Sequence, residues 1–592
     1  MDEVSILNDS LHDVATFDLL VDEKAVKPEY QILWISITKE INHIPVAKIV
    51  VRDGDAAERD FSISNQIDFI PGKKIRIKIG RDGTNAQVFK GIITRHAIKV
   101  KQNGDSELHI ECRDEAVRMT IGRHSHYFAN VKDSEVFDEL IGKYKGLSGD
   151  ASRTTLVHKQ LVQHHITDWD FMLLRAEANS MLIHVDDGIV KIFKPDTDPP
   201  AVVQVTYGSS VLEFEAEMDV RNQWKSVNAN SWDYANQTLF NADISGVSFS
   251  EHGNISGSDL ANAINLDKYQ MHHSGYHLEQ ELKDWVEGVM LRSRLAKIRG
   301  RAKFTGFSGI VPGSMVQLEG VGDRFKGKAF VTAVRHDIAK GTWETHIQFG
   351  FDPDTYAMMH SNDINDAEAA GLVGSIKGLQ IGKVVQLEND PDGEHRILVK
   401  IPVIDNAARG TWMRVASLDA GSNRGAFFRP EINDEVIVGF INDDPRDAVV
   451  LGMLHSSANP APLTARDAND EKGFTTRSEM HVSFNDKTKT IKIDTPAGNS
   501  ITLDEGGTKI EIKDQNSNKI TMDSKGIKLE SPLDVEIKAG VNLTLSAGAK
   551  LTIGGATLAV KADGVVSVEG GAMAKFSSDG VAQIKGSMVT IN

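Results

Sequence analysis

At 592 residues the chain is too long for one hydrophobic core, and three or four domains are expected. A composition of 40% hydrophobic and 25% charged residues is that of soluble globular protein, not of a disordered or fibrous chain. The formal charge of −17 argues against recognition of a nucleic-acid backbone, which requires a basic face.

The N-terminus, Met1-Asp2-Glu3-Val4, lacks the basic start and apolar run of a secretory signal, and no stretch of 18 apolar residues occurs. Assembly in the cytoplasm is therefore expected, with any exit by a route other than a signal peptide. Residues 1 to about 120 read as strands. Ile75 to Ile79 and Glu107 to Cys112 alternate with period 2, and Asp82-Gly83 and Asn103-Gly104 are turn dipeptides. Cys112 is the one cysteine, which excludes an intrachain disulfide; within that alternation it reads as a small core residue.

From about 130 the pattern is mixed. Thr167 or Asp168 can cap a short helix whose apolar face is Trp169, Met172, Leu173 and Ala176. Met181 to Phe193 reads as a hairpin turning at Asp186-Asp187-Gly188, and a longer helix is expected over roughly His277 to Arg299. Ser314 to Phe351 returns to strands. The whole of 1–355 is thus expected as a mainly β base with helical insertions. A linker is expected at 356–376, a compact β-domain at 377–455, and a second linker at 456–480.

From His481 to Asn592 apolar residues alternate in short segments, such as Ile491/Ile493, Ile501/Leu503 and Ile510/Ile512. Later segments are separated by Gly540, Gly548, Gly555, Gly564, Gly571 and Gly580, a repeat of about eight residues. The only aromatic residues here are Phe484 and Phe576, too few to fill a sandwich about 10 Å thick. One chain alone also leaves strand edges unpaired. Three chains wound about a common axis, each strand pairing with the other two chains, resolve both problems. A single-chain solenoid of three repeats per coil is the alternative.

The β-domain at 377–455 resembles the OB-fold of VgrG proteins, trimeric spikes of type VI secretion and related contractile injection machines. The resemblance is carried by Gly382-Lys383-Val384-Val385, Asp390 to Pro402, and Thr411-Trp412-Met413-Arg414-Val415. It continues through Ala420-Gly421, Pro430 to Phe440, Asp443 to Arg446, and Val450-Leu451-Gly452. Asn433 stands where the family usually has glycine. Ile166 to Phe171 and Arg175 to Asn179 are similar to the family's aspartate–tryptophan–aspartate helix, with Ala178-Asn179 where many members have Glu and Gly.

The implied architecture is a homotrimer: a phage-hub-like base of two β-barrel-type subdomains (1–355), an OB-fold neck, and a triple-stranded intertwined β-helix (481–592). The implied function is a structural spike at the tip of a contractile injection machine. Implied partners are a hexameric Hcp-like inner tube, baseplate proteins, a PAAR-repeat tip protein and effector cargo, with no nucleic acid. A phage tail or an extracellular phage-tail-like particle is the alternative setting. Some phage needles end in an iron-binding His-x-His motif; this chain ends Gly586 to Asn592 without histidine. The resemblance therefore implies a blunt end that takes a separate tip protein on Ser587, Met588, Val589, Thr590, Ile591 and Asn592.

No catalytic, cofactor or metal residue is expected. The 26 residues between Leu454 and His481 cannot hold the lysozyme domain of some phage relatives, so an envelope hydrolase is disfavoured. A glycan-binding fibre would need exposed aromatics on the needle. Gly322 to Lys328 nearly matches a phosphate-binding loop, but Ala329 replaces the magnesium-binding Ser/Thr and a strand follows, so a hairpin loop is expected. His124, His126, His164, His165, His272, His273 and His277 lack any established metal-ligand spacing. Asp390-Pro391-Asp392-Gly393 reads as a hairpin turn, not a calcium loop.

Overall fold

The computed structural model describes residues 4–6, 14–102, 105–407 and 409–591. Met1–Glu3, the Asn103-Gly104 turn and Asn592 lie outside the described residues. The chain divides into two compact units, Met1–Gly452 and Met453–Asn592.

The first unit is built on a 14-stranded, mostly antiparallel sheet that wraps two cores. One core gathers Ile35, Ile37, Ile49, Ile75, Ile77, Ile79, Phe89 and Cys112 from the strands of residues 15–113. The inward side of Ile75–Ile79 is fully buried, as the period-2 pattern requires. Burial pushes the Cys112 thiol well above its ordinary range, so the cysteine is an inert core residue. The turn between Lys74–Arg81 and Thr84–Val100 has positive φ at both Asp82 (φ 50) and Gly83 (φ 80), as a two-residue hairpin needs.

The second core holds Val203, Val205, Phe304, Val316, Leu318, Val331, Val334 and Phe349. The 13-residue strand Gly327–Ala339 joins the two halves: Val331 and Val334 lie in the second core and Ile338 in the first.

Helices are inserted between these strands. In chain order α1 is Asp133–Gly142, α2 Asp168–Ala178, α3 Gly257–Ile264 and α4 Glu279–Leu295. A third core packs α1 and α2 with the hairpin Leu182–Asp186/Ile189–Phe193. The α4 helix covers a three-stranded sheet through Leu282, Val286 and Met290. It is shorter than the expected span to Arg299, because Ile298 already starts a strand paired with Met218. Lys297, only 2% exposed, ends the helix by donating to the carbonyls of His252 and Ile255 and pairing with Glu251.

Residues 380–453 form a closed five-stranded barrel in which Gln380–Gln386, Ile397–Lys400, Thr411–Val415, Ala448–Met453 and Glu435–Phe440 pair in that order. Its core is Val384, Ile397, Val399, Met413, Val436, Val438 and Val450. This is the mainly β, OB-containing architecture expected from the sequence.

The second unit opens with strands paired within the chain. Seven strands from Glu471–Thr475 to Gly526–Glu530 form an antiparallel meander in which every strand pairs with the next strand of its own chain. Over 471–530 each strand thus has its ladder neighbours in its own chain, whereas the expectation over 481–592 was pairing among three chains. The first of these strands lies inside the stretch expected as a linker. A period-2 pattern is common to both arrangements; the reversals decide. Asp486 to Lys489 and Asp514 to Asn518 close hydrogen-bonded turns, with Asp514 accepting from the Asn518 amide at 2.8 Å.

Beyond Glu530 the meander stops. Among the described residues 531–591 there is no strand and no backbone-to-backbone hydrogen bond. Bends recur at 532–533, 540–541, 548–549, 556, 563–564, 571–572, 579–580 and 587. A single-chain solenoid would hydrogen-bond each coil to the next within the chain, and these residues do not.

Candidate functional surfaces

The helix α2 is the organising element of the helical core. Thr167 caps it by accepting from the Asp170 amide at 3.0 Å, and Thr167 donates in turn to Asp170 at 2.6 Å. Asp168 is buried and accepts from Gln163 Nε2 at 2.7 Å and from the Tyr144 hydroxyl at 2.9 Å. Trp169 fills the core beside it.

A denser network was not legible from the sequence. Asp133, the first residue of α1, is 1% exposed. It accepts from Arg175 Nε (2.6 Å) and Nη2 (2.9 Å), His158 Nε2 (2.8 Å) and Asn179 Nδ2 (2.9 Å). Burial alone would push this carboxyl up. The Arg175 and His158 hydrogen bonds outweigh burial and hold it well below the usual carboxylate range. Asn179 thus has a bonding role. The i, i+4 spacing of Arg175 and Asn179 was the one available signal.

The start of the segment expected as a linker, 356–376, is tied down, as are the residues just before it. Arg292 donates to the carbonyls of Asp352 (3.2 Å) and Asp354 (2.8 Å), pairs with Glu177, and lies 4.6 Å from the Phe351 ring centroid. Glu177 and Asp170 of α2 accept from Tyr356, through its amide and its hydroxyl. Arg123 donates to the carbonyls of His165, Asp363, Ile364 and Asn365 at 2.7–3.3 Å. The aspartate–tryptophan–aspartate helix therefore anchors the strap that leads into the barrel. Arg123→Ala is expected to cost about 1–2 kcal/mol and to open a new protease site near Ser361–Asn365, readable by limited proteolysis.

In the barrel, Asn433 sits at φ 79, in the left-handed region. Its amide donates to Val384 O at 2.9 Å, so the turn is intact. Asn433→Val should cost about 1–2 kcal/mol in thermal unfolding, and Asn433→Gly nothing. The Asp390–Gly393 turn is closed by Arg396, which donates to Asp390 at 2.6 Å and also binds Asp392. That guanidinium holds Asp390 well below the usual carboxylate range and occupies the carboxylates a cation would need.

Other sequence candidates resolve similarly. Lys328, the phosphate-loop lysine position, donates to the carbonyls of Thr197, Asp198 and Pro199 at 3.0–3.1 Å. His165 pairs with Asp366, His272 meets Asn230, and His273 and His277 pack edge to face. Among the described residues no group of three His, Cys, Asp or Glu is placed to hold a metal ion, and no helix is long and apolar enough to cross a membrane.

In the second unit the register stacks apolar residues in two ladders on one sheet face. One runs Val482, Ile493, Ile501, Ile512, Ile520 and Leu529; the other runs Phe484, Ile491, Leu503, Ile510, Met522 and Ile527. The opposite face is polar, with Lys492, Thr502, Glu511, Thr521 and Lys528 in register. Among the described residues nothing covers the apolar face: Ile501 and Ile512 stay 41% and 39% exposed. Exposure is greater beyond Glu530, where Val541 is 90% exposed. A continuous apolar surface of this extent marks an interface. Met588, Val589 and Ile591 are likewise exposed, as are Ser587 and Thr590.

A family model described as the Alg8 N-terminal domain matches residues 11–340, more than half of the chain. The chain belongs to that family. In this Alg8 N-terminal domain protein, residues 380–455 also match the type VI secretion system/phage-baseplate injector OB domain. Over 81 residues, 14% of its length, it is 31% identical to the type VI secretion system spike protein VgrG3 of Vibrio cholerae. The actin cross-linking toxin VgrG1 of the same species matches equally, at 31% over 81 residues. The chain spans 8% and 7% of the length of these two relatives. A solved type VI secretion component of Escherichia coli, described as similar to the T4 tail proteins gp27 and gp5, is 12% identical with a TM-score of 0.34. It covers 74% of this chain and 99% of its own. The VgrG resemblance carried by Pro430 to Phe440 is borne out by the injector-domain match and the curated VgrG relatives.

Proposed function

We propose that the chain is the spike of a contractile injection machine and works as a homotrimer. The observation that carries this reading is the pair of uncovered apolar ladders, joined in one chain to an injector OB barrel. Two further copies are the natural cover, because each brings the same ladders at the same register. The role is mechanical. A contracting sheath would drive the spike forward, and strands paired and packed across copies would resist unravelling.

On this reading the base contacts a hexameric Hcp-like tube and baseplate proteins, and effector cargo rides with the spike. Ser587, Met588, Val589, Thr590, Ile591 and Asn592 form the seat for a PAAR-repeat tip protein. The particle would assemble in the cytoplasm and deliver the spike into the target, with no reaction catalysed. Gold labelling of a tagged full chain in electron micrographs of assembled particles tests it. Label at one end of the inner tube is expected; label along the sheath, or none on particles, would overturn the reading.

A further inference from the structure

Helix α4 meets the end of α2 closely at Gly288: a Cβ added there would lie 3.0 Å from Ser180 Oγ, which donates to the Asp284 carbonyl. Glycine is a poor helix former, so its place in mid-helix reflects this close approach. Beside the contact, α2 and α4 leave a cavity of about 280 Å³. Leu174, Met181, Leu182, Trp285, Val289 and Phe351 wall it, and they belong to one chain. Folded interiors hold few voids larger than a water molecule. An apolar cavity of roughly 150 Å³ already takes up benzene. The space is therefore large enough for a small organic molecule, and it lies just below the range of about 300–1,000 Å³ usual for larger ligands.

The charges around the cavity do not balance. Asp133, Glu177, Glu281 and Asp284 line it against two cations, Arg175 and Arg292. Both cations are committed: Arg175 holds Asp133, and Arg292 holds Glu177 and the carbonyls of Asp352 and Asp354. Glu281 lies 4.0 Å from Arg175, beyond hydrogen-bond distance, and stands 3.6 Å from His158 and 3.4 Å from His277. Asp284 accepts from Gln280 at 3.2 Å, and among the described residues no lysine or arginine forms an ion pair with it. Burial pushes the Asp284 carboxyl up, the shift of a carboxylate short of a counter-charge. Glu281 and Asp284 are three residues apart, so they sit on neighbouring turns of one side of α4.

We propose that this cavity binds a small organic cation, an amine whose ammonium group is held by Asp284 and Glu281 and whose apolar body lies among Leu174, Trp285 and Val289. The two carboxylates replace the water that the ammonium gives up, and an indole face attracts a cation as well. A neutral molecule of the same shape gains the apolar contact alone. An anion of that shape is repelled by the same carboxylates.

Isothermal titration of the full chain with phenethylamine, phenethyl alcohol and hydrocinnamate at neutral pH tests this. The amine is expected to bind at one site per chain, about tenfold more tightly than the alcohol, with no measurable binding of the carboxylate. Asp284→Asn should bring the amine down to the affinity of the alcohol and leave the alcohol unchanged, a split that loss of the fold would not give. Equal binding of amine and carboxylate, amine binding that Asp284→Asn leaves unaltered, or no binding of the amine would overturn the proposal.

Discussion

In the proposed trimer, Ile501→Asp is expected to give monomers or unspecific aggregates, the largest effect foreseen for any single substitution. Ile501 lies mid-ladder, opposite Ile493 on one side and Ile512 on the other. Covering its side chain in an assembly contributes about 1.5–3 kcal/mol per copy. A carboxylate at the same place adds a desolvation cost on the order of several kcal/mol per ion, repeated in each of three copies. The neighbouring Thr502 points to the polar face, so Thr502→Lys should leave the mass unchanged. That contrast separates loss of the interface from loss of the strand.

Asp133→Ala is expected to destabilise the first unit by about 3–5 kcal/mol, because it leaves Arg175 charged, largely enclosed and without its carboxylate. The effect depends on pH with a definite sign. The folded Asp133 carboxyl is held below the ordinary value of about 3.9, so its stabilising contribution is present at neutral pH. It shrinks as the pH falls below about 4 and the unfolded chain takes up the proton first. Thermal unfolding of the two proteins should therefore differ most at pH 6–8 and converge in acid. A constant gap across that range would mean that the network stabilises by packing and not by charge.

The comparison of sequence and structure follows from which contacts are local. The barrel was legible because its strands and turns, such as Pro430 to Phe440, carry their determinants within a few residues. The α2 helix was legible from its cap and apolar face. The Asp133 network was not, since it joins residues 25 to 46 positions apart that show no pattern of their own. The end of α4 was overrun because Lys297 looks like an ordinary helix cation until Glu251 is seen to draw it inward. In the strands of 481–530, alternation identified the apolar face. It could not tell own-chain pairing from exchange between chains, because both have period 2. Residues 356–376 looked like a linker by composition, yet Arg123 holds them through the Ile364 carbonyl and Arg292 holds the residues just before them, which composition does not record.

The central claim is that three copies close around the apolar shaft. Light scattering of the purified full chain tests it most directly. The account predicts a particle of three times the 64.8 kDa chain mass that persists on dilution. A stable, soluble particle with the mass of one chain would contradict it.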